Sequence, residues 1–97
     1  MKKGYWMVAY RTVGDEAAMK SYRELAATAL GQFGSRLLVA PGDAVTAVEA
    51  GLKQKVALVE FDSYEKALAA YESADYKKAV AALGSGVERD LRILEGV

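Results

Sequence analysis

Apolar residues recur along this chain in two rhythms, one alternating and one returning every three or four positions. Tyr5 to Val13, YWMVAYRTV, is aromatic and β-branched and predicts a long strand. Its alternation sends Trp6, Val8 and Tyr10 to one face and Tyr5, Met7, Ala9 and Arg11 to the other. Gly14-Asp15 ends that strand and caps a helix, with Glu16 in the first turn. Ala18, Tyr22, Leu25, Ala26, Ala29 and Phe33 form its apolar stripe, and Gly31 and Gly34 stop it. Ser35 to Ala40 predicts a short strand, Pro41-Gly42-Asp43 a turn, and Ala44 to Glu49 a hairpin arm folding back.

Lys55 to Leu68 is the stretch around which the rest is organised. Val56-Ala57-Leu58-Val59 predicts a strand central in its sheet and buried on both faces. Asp62 and Ser63 follow as N-cap residues, and Glu65 stands three after Asp62, the spacing of a capping box. Helix then runs from Ser63 to about Leu83, broken near Ser73-Ala74-Asp75, where Ser73 or Asp75 caps a fresh start. Ala67, Leu68 and Tyr71 face inward before the break; Tyr76, Ala79, Val80 and Leu83 do so after it. Gly84-Ser85-Gly86 is a turn, and Glu88 to Glu95 a last strand with Leu91 and Ile93 on one face and Arg92 and Leu94 on the other. The order β-α-β-β-α-β is the ferredoxin-like pattern: one α+β domain over residues 1–97, an antiparallel sheet with helices on one face.

Composition narrows the chemistry. The 97 residues are 53% hydrophobic and 27% charged, a globular balance. Thirteen basic and thirteen acidic residues cancel, leaving no net field to gather nucleic acid. Cysteine and histidine are both absent, which removes the thiolate nucleophile, the commonest general base and the commonest metal ligands. No metal or cofactor is expected. The chain opens without a basic-plus-apolar leader, and no apolar run approaches the roughly 20 residues of a membrane span. Cytoplasm is the expected location, with no membrane partner.

Several side chains are candidates for a site. Glu60 ends an apolar strand, and partial desolvation there would raise its pKa toward that of a general base. The other reading is a structural ion pair with Arg36 or Arg92, the commoner fate of a strand-end charge. Arg36 and Arg92 have the geometry to grip an anionic ligand, or to bridge to Glu60 and Asp90. Trp6, Tyr71 and Tyr76 could line an aromatic pocket, although inward aromatics are more often plain core. Gly84-Ser85-Gly86 precedes a strand and so makes no phosphate-binding loop. Base-stacking by an open sheet face needs aromatics that Lys55 to Val59 does not carry.

With these residues in place, the chain resembles the dimeric α+β barrel superfamily, and within it the domain of unknown function 1330 family. Gly4-Tyr5-Trp6, Phe33 to Val39, Val59 to Ala79 and Leu91 to Gly96 carry the resemblance, and Tyr71, Ser73 and Tyr76 form its most specific run. It implies a ferredoxin-like protomer pairing sheet to sheet with a second copy, in a superfamily whose pockets lie between sheet and helices. Cofactor-free monooxygenases, isomerases and haem-degrading proteins belong to that superfamily. The chain departs from the family pattern at Ala40 and Leu83, where arginines are usual, and at Ala50, where glycine is. Exposure points to the same pairing. Leu38, Val56, Leu58 and Leu94 share alternation faces with Arg36, Glu60 and Arg92, a surface too apolar to stay open in a small monomer. Two functions therefore stand: a homodimer that binds a small molecule, with possible cofactor-independent catalysis by Glu60, and a non-catalytic structural or protein-interaction dimer.

Overall fold

A computed structural model describes all of residues 1–97. The elements run β1 (Gly4–Val13), α1 (Glu16–Gly31), β2 (Arg36–Val39), β3 (Lys55–Phe61), α2 (Tyr64–Glu72), α3 (Ala74–Leu83) and β4 (Val87–Glu95). The four strands form one antiparallel sheet in the order β2-β3-β1-β4. The ferredoxin-like pattern expected from the sequence is present. Register pairs Trp6 with Val59 and Ile93, and Val8 with Ala57 and Leu91, so these side chains share the helix-covered face. Tyr5, Met7 and Ala9 pair with Glu60, Leu58 and Val56 on the opposite, uncovered face.

Local chemistry sets the boundaries. Asp15 caps α1, its Oδ1 accepting from the Ala18 N–H at 3.0 Å. Gly34 takes φ +67 in the turn that follows α1, a conformation that costs a residue with a side chain more. Ser73 divides α2 from α3. Its hydroxyl donates to the Ala70 carbonyl at 2.8 Å and accepts from the Tyr76 N–H at 3.2 Å, closing one helix and opening the next. Gly4 lets α2 settle onto β1, because a Cβ there would stand 2.6 Å from the Ser63 carbonyl oxygen.

Four local expectations are corrected. Residues 40–54 form no hairpin arm; between Ala44 and Glu49 there is no strand. Val48 and Leu52 stand exposed on this segment, and an arm with no surface to cover it is marginal in water. The cap of α2 is Ser63, whose Oγ accepts from the Lys66 N–H, so Glu65 falls in the first turn and no capping box forms. Asp62 is held instead by Arg36. Leu25 and Leu68 lie outside the core, while Met19 enters it. Finally, β3 is central but buried on one face only: Ala57, Val59 and Phe61 are buried, Val56 and Leu58 half-buried.

The core splits into two regions. Trp6, Phe61, Tyr71 and Tyr76 pack together under α2 and α3, with Trp6–Tyr76 and Trp6–Phe61 ring centroids 4.8 and 5.3 Å apart. The Trp6 indole N–H donates to the Ala67 carbonyl at 2.9 Å, so the ring's polar atom is satisfied in its buried site. Helix α1 packs against α3, and it turns Met19, Tyr22, Ala26 and Ala29 inward. Space is left beneath it.

Candidate functional site

That space is a cavity of about 660 Å³ between α1 and the sheet. Trp6, Val8 and Tyr10 of β1, Ala57 and Val59 of β3, and Met19, Tyr22 and Ala26 of α1 are among its walls. Its size lies within the range of small-molecule sites, and most of its lining is apolar. The sequence places small residues on two facing elements here, Ala26 and Ala27 on α1 and Ala57 on β3, and no long side chain reaches across. Glu16, Arg23 and Lys55 also line it and are exposed, marking where it meets solvent.

Beside the cavity lies a buried polar cluster. The hydroxyls of Tyr22 and Tyr76 are 2.6 Å apart, and the Arg89 guanidinium donates to Tyr22 at 2.9 Å and to Tyr76 at 3.2 Å. Arg89 also stacks over the Tyr22 ring, 4.8 Å from its centroid. Burial pushes the Tyr22 phenol well above its ordinary value, and burial likewise raises Tyr10. Both therefore stay protonated near neutral pH and can act as hydrogen-bond donors.

The residues singled out from the sequence are scattered relative to this cavity. Trp6 forms part of its wall. Tyr71 and Tyr76 stand behind Trp6 in the aromatic stack and do not line it; Tyr76 is fully buried. Glu60, Arg36 and Arg92 are on the uncovered face, where strand alternation puts them. There Arg36 Nε donates to Glu60 at 2.8 Å and Nη2 to Asp62 at 2.9 Å, and the Tyr5 hydroxyl adds a bond to Glu60 at 3.1 Å. The Arg36 hydrogen bond holds the Glu60 carboxyl below its usual range, outweighing desolvation. Of the two readings of Glu60, the ion pair with Arg36 is the one present, and the raised pKa of a general base is not, because a cation sits against it. Arg92 pairs with Asp90 at 3.2 Å, and Arg11 meets the same carboxylate at 2.9 Å.

Arg89 is the candidate residue that the strand pattern did not flag. Its signal was present: it lies two positions before Leu91 and four before Ile93, on their inward face. A cation on a helix-covered face is rare enough to mark a site.

The Arg36 cluster makes a pH prediction. Glu60 and Asp62 are both held below their ordinary values of 4.5 and 3.8, in each case first by Arg36. Groups depressed in the folded state stabilise it fully above those values and lose that contribution as pH falls from there through their lowered ones. Arg36→Gln should therefore flatten the acid limb of thermal stability below about pH 5 and matter least in high salt, since these groups are partly exposed. An unchanged acid limb in the variant would refute the assignment.

The family model described as domain of unknown function (DUF1330) matches residues 3–97. The chain belongs to this family. No curated protein matches it. Among solved structures, a protein of unknown function from Rhodopseudomonas palustris superposes with a TM-score of 0.77 at 12% identity, covering 99% of this chain and 83% of that one. A dimeric protein of unknown function and ferredoxin-like fold from Bacteroides fragilis gives 0.64 at 16%, covering 96% and 95%. SnoaB, a cofactor-independent oxygenase from Streptomyces nogalater, gives 0.64 at 10%, covering 97% and 92%. At these identities the likeness establishes the ferredoxin-like fold of this DUF1330 protein and nothing of its chemistry. No helix is long and apolar enough to cross a membrane.

Proposed function

We propose that this DUF1330 protein is a homodimer, paired through its uncovered sheet face, that binds an apolar small molecule in the cavity under α1. The cavity itself carries this reading: about 660 Å³ of mostly apolar space, bordered by buried phenols. Protein interiors are otherwise close-packed, and apolar walls left facing water release it and gain contacts when a ligand fills the space. The superposition on SnoaB extends the reading to cofactor-independent catalysis. A binding role without turnover has an observation of its own. The ionisable groups lining the cavity are two phenols pushed up by burial, together with exposed Glu16, Arg23 and Lys55. Glu60, the candidate base from the sequence, is tied to Arg36 on the other face.

The test is a neutral environment-sensitive dye, N-phenylnaphthylamine, titrated with untagged protein. Its fluorescence should rise with wild type and lose most of that rise with Ala26→Phe, whose ring would project from α1 into the cavity. Because the ring fills existing space, the melting temperature should hold or increase, where the same substitution in a filled core would cost about 1–3 kcal/mol. Equal dye binding by both proteins would remove the cavity from the reading.

A further inference from the structure

Arg89 is a partly buried cation without an anion. None of the protein's ion pairs includes it. Its neighbour in sequence, Asp90, is on the opposite face and already holds Arg11 and Arg92. The groups around the guanidinium are phenols, Tyr22 and Tyr76 by hydrogen bond and Tyr10 across the strand pair. These phenols are neutral, so they solvate the charge without cancelling it. An uncompensated charge in a partly buried place is costly, and it usually has a counter-ion.

Proton accounting shows where that counter-ion would bind. Two phenols bring two hydroxyl protons, and one of these lies between the Tyr22 and Tyr76 oxygens. Arg89 contributes only donors, so it consumes neither. Tyr76 accepts from both Nη1 and Nη2, which leaves it as the natural donor to Tyr22. The second proton then rests on Tyr22, and no acceptor for it is found in the protein. Tyr76 is sealed from solvent, whereas Tyr22 lines the cavity.

We infer that the ligand of this cavity is an apolar carboxylic acid, bound as its carboxylate by the Tyr22 hydroxyl with Arg89 supplying the charge behind it. The inference rests on the small-molecule reading above and names its ligand class. The carboxylate accepts the unclaimed Tyr22 proton, Tyr76 and Arg89 fix the orientation of that phenol, and the hydrocarbon part lies among Trp6, Val8, Met19 and Ala57. Arg23 and Lys55 also line the cavity, but both are exposed, and Lys55 is engaged with Asp43. Their attraction for an anion is screened by salt, while that of a partly buried guanidinium is screened less.

The experiment is displacement of bound N-phenylnaphthylamine by decanoate and by decanol, at neutral pH and high salt. Both carry the same chain, and decanol leaves water the more readily, so any preference for the acid comes from its charge. Wild type should prefer decanoate by about tenfold or more, the scale of one charge-assisted hydrogen bond. Arg89→Gln should erase the preference and Tyr22→Phe reduce it, each read as the decanoate-to-decanol ratio within that variant. Tyr22→Phe keeps the ring, so it decides the matter alone if Arg89→Gln does not fold. Equal displacement in wild type, or a preference that survives the substitutions, overturns the inference and leaves the cavity reading intact. A dye that fails to bind wild type overturns both.

Discussion

Trp6→Ala should unfold about 3–5 kcal/mol more easily than wild type, a large part of the 5–15 kcal/mol that holds a typical domain. Three losses combine. The indole is only 1% exposed, so its whole apolar surface is removed from the core. Its edge contacts with Tyr71 and Tyr76 go, and so does the hydrogen bond to the Ala67 carbonyl. The space left behind joins the cavity under α1, whose wall Trp6 forms, so relaxation cannot easily close it. Denaturant unfolding at fixed protein concentration measures the difference. Trp6→Phe, which keeps most of the packing, isolates the hydrogen bond and should cost markedly less. A loss under about 1 kcal/mol for the alanine variant would mean that Trp6 is not what joins sheet to helices.

Leu58→Arg should turn the proposed dimer into monomers, weakening association by about a thousandfold or more. Leu58 sits mid-strand on the uncovered face, beside Met7 of β1 and Val39 of β2. Val56 and Ala9 extend the apolar patch, and two ionic groups flank it, Arg36 with Glu60 and Asp62, and Asp90 with Arg11 and Arg92. Leu37, Leu38 and Val39 are exposed along the adjoining edge strand, and Leu94 is exposed on the far side. A guanidinium at the centre of that patch would have to be buried without a partner on pairing, yet would be well solvated in a monomer. Native mass spectrometry across a dilution series reads the outcome. A variant that stays dimeric at wild-type concentrations would rule out this face as the interface.

Much of the protomer was legible because its signals are local. A cap needs only a hydroxyl or carboxylate within three residues, and Asp15 and Ser73 act as the sequence suggested. Alternation along β1 sorted Trp6, Val8 and Tyr10 from Tyr5, Met7 and Ala9 as the pairing with β3 does, since a regular strand has a period of two. The hairpin arm failed for a different reason. Turn residues at Pro41-Gly42-Asp43 permit a reversal, but only a partner surface makes strands, and 40–54 has none within the protomer.

The site was less legible. The charges of the uncovered face, Arg36, Glu60 and Arg92, could be listed from the sequence, but whether Glu60 was desolvated or paired depended on the register of β2 against β3. That register puts Arg36 directly opposite Glu60. Arg89 gained its meaning only when α1 and α3 brought Tyr22 and Tyr76 together above it, three elements meeting at residues 13 to 67 positions apart. The cavity likewise depends on how far α1 stands from the sheet, a distance fixed by its packing on α3. The sequence by itself determined the order of elements, their ends and their faces, because each follows from interactions a few residues long. The tertiary structure alone decided which charges are paired, which one is left without an anion, and where empty space remains. Those depend on contacts between distant segments, and no local pattern encodes them.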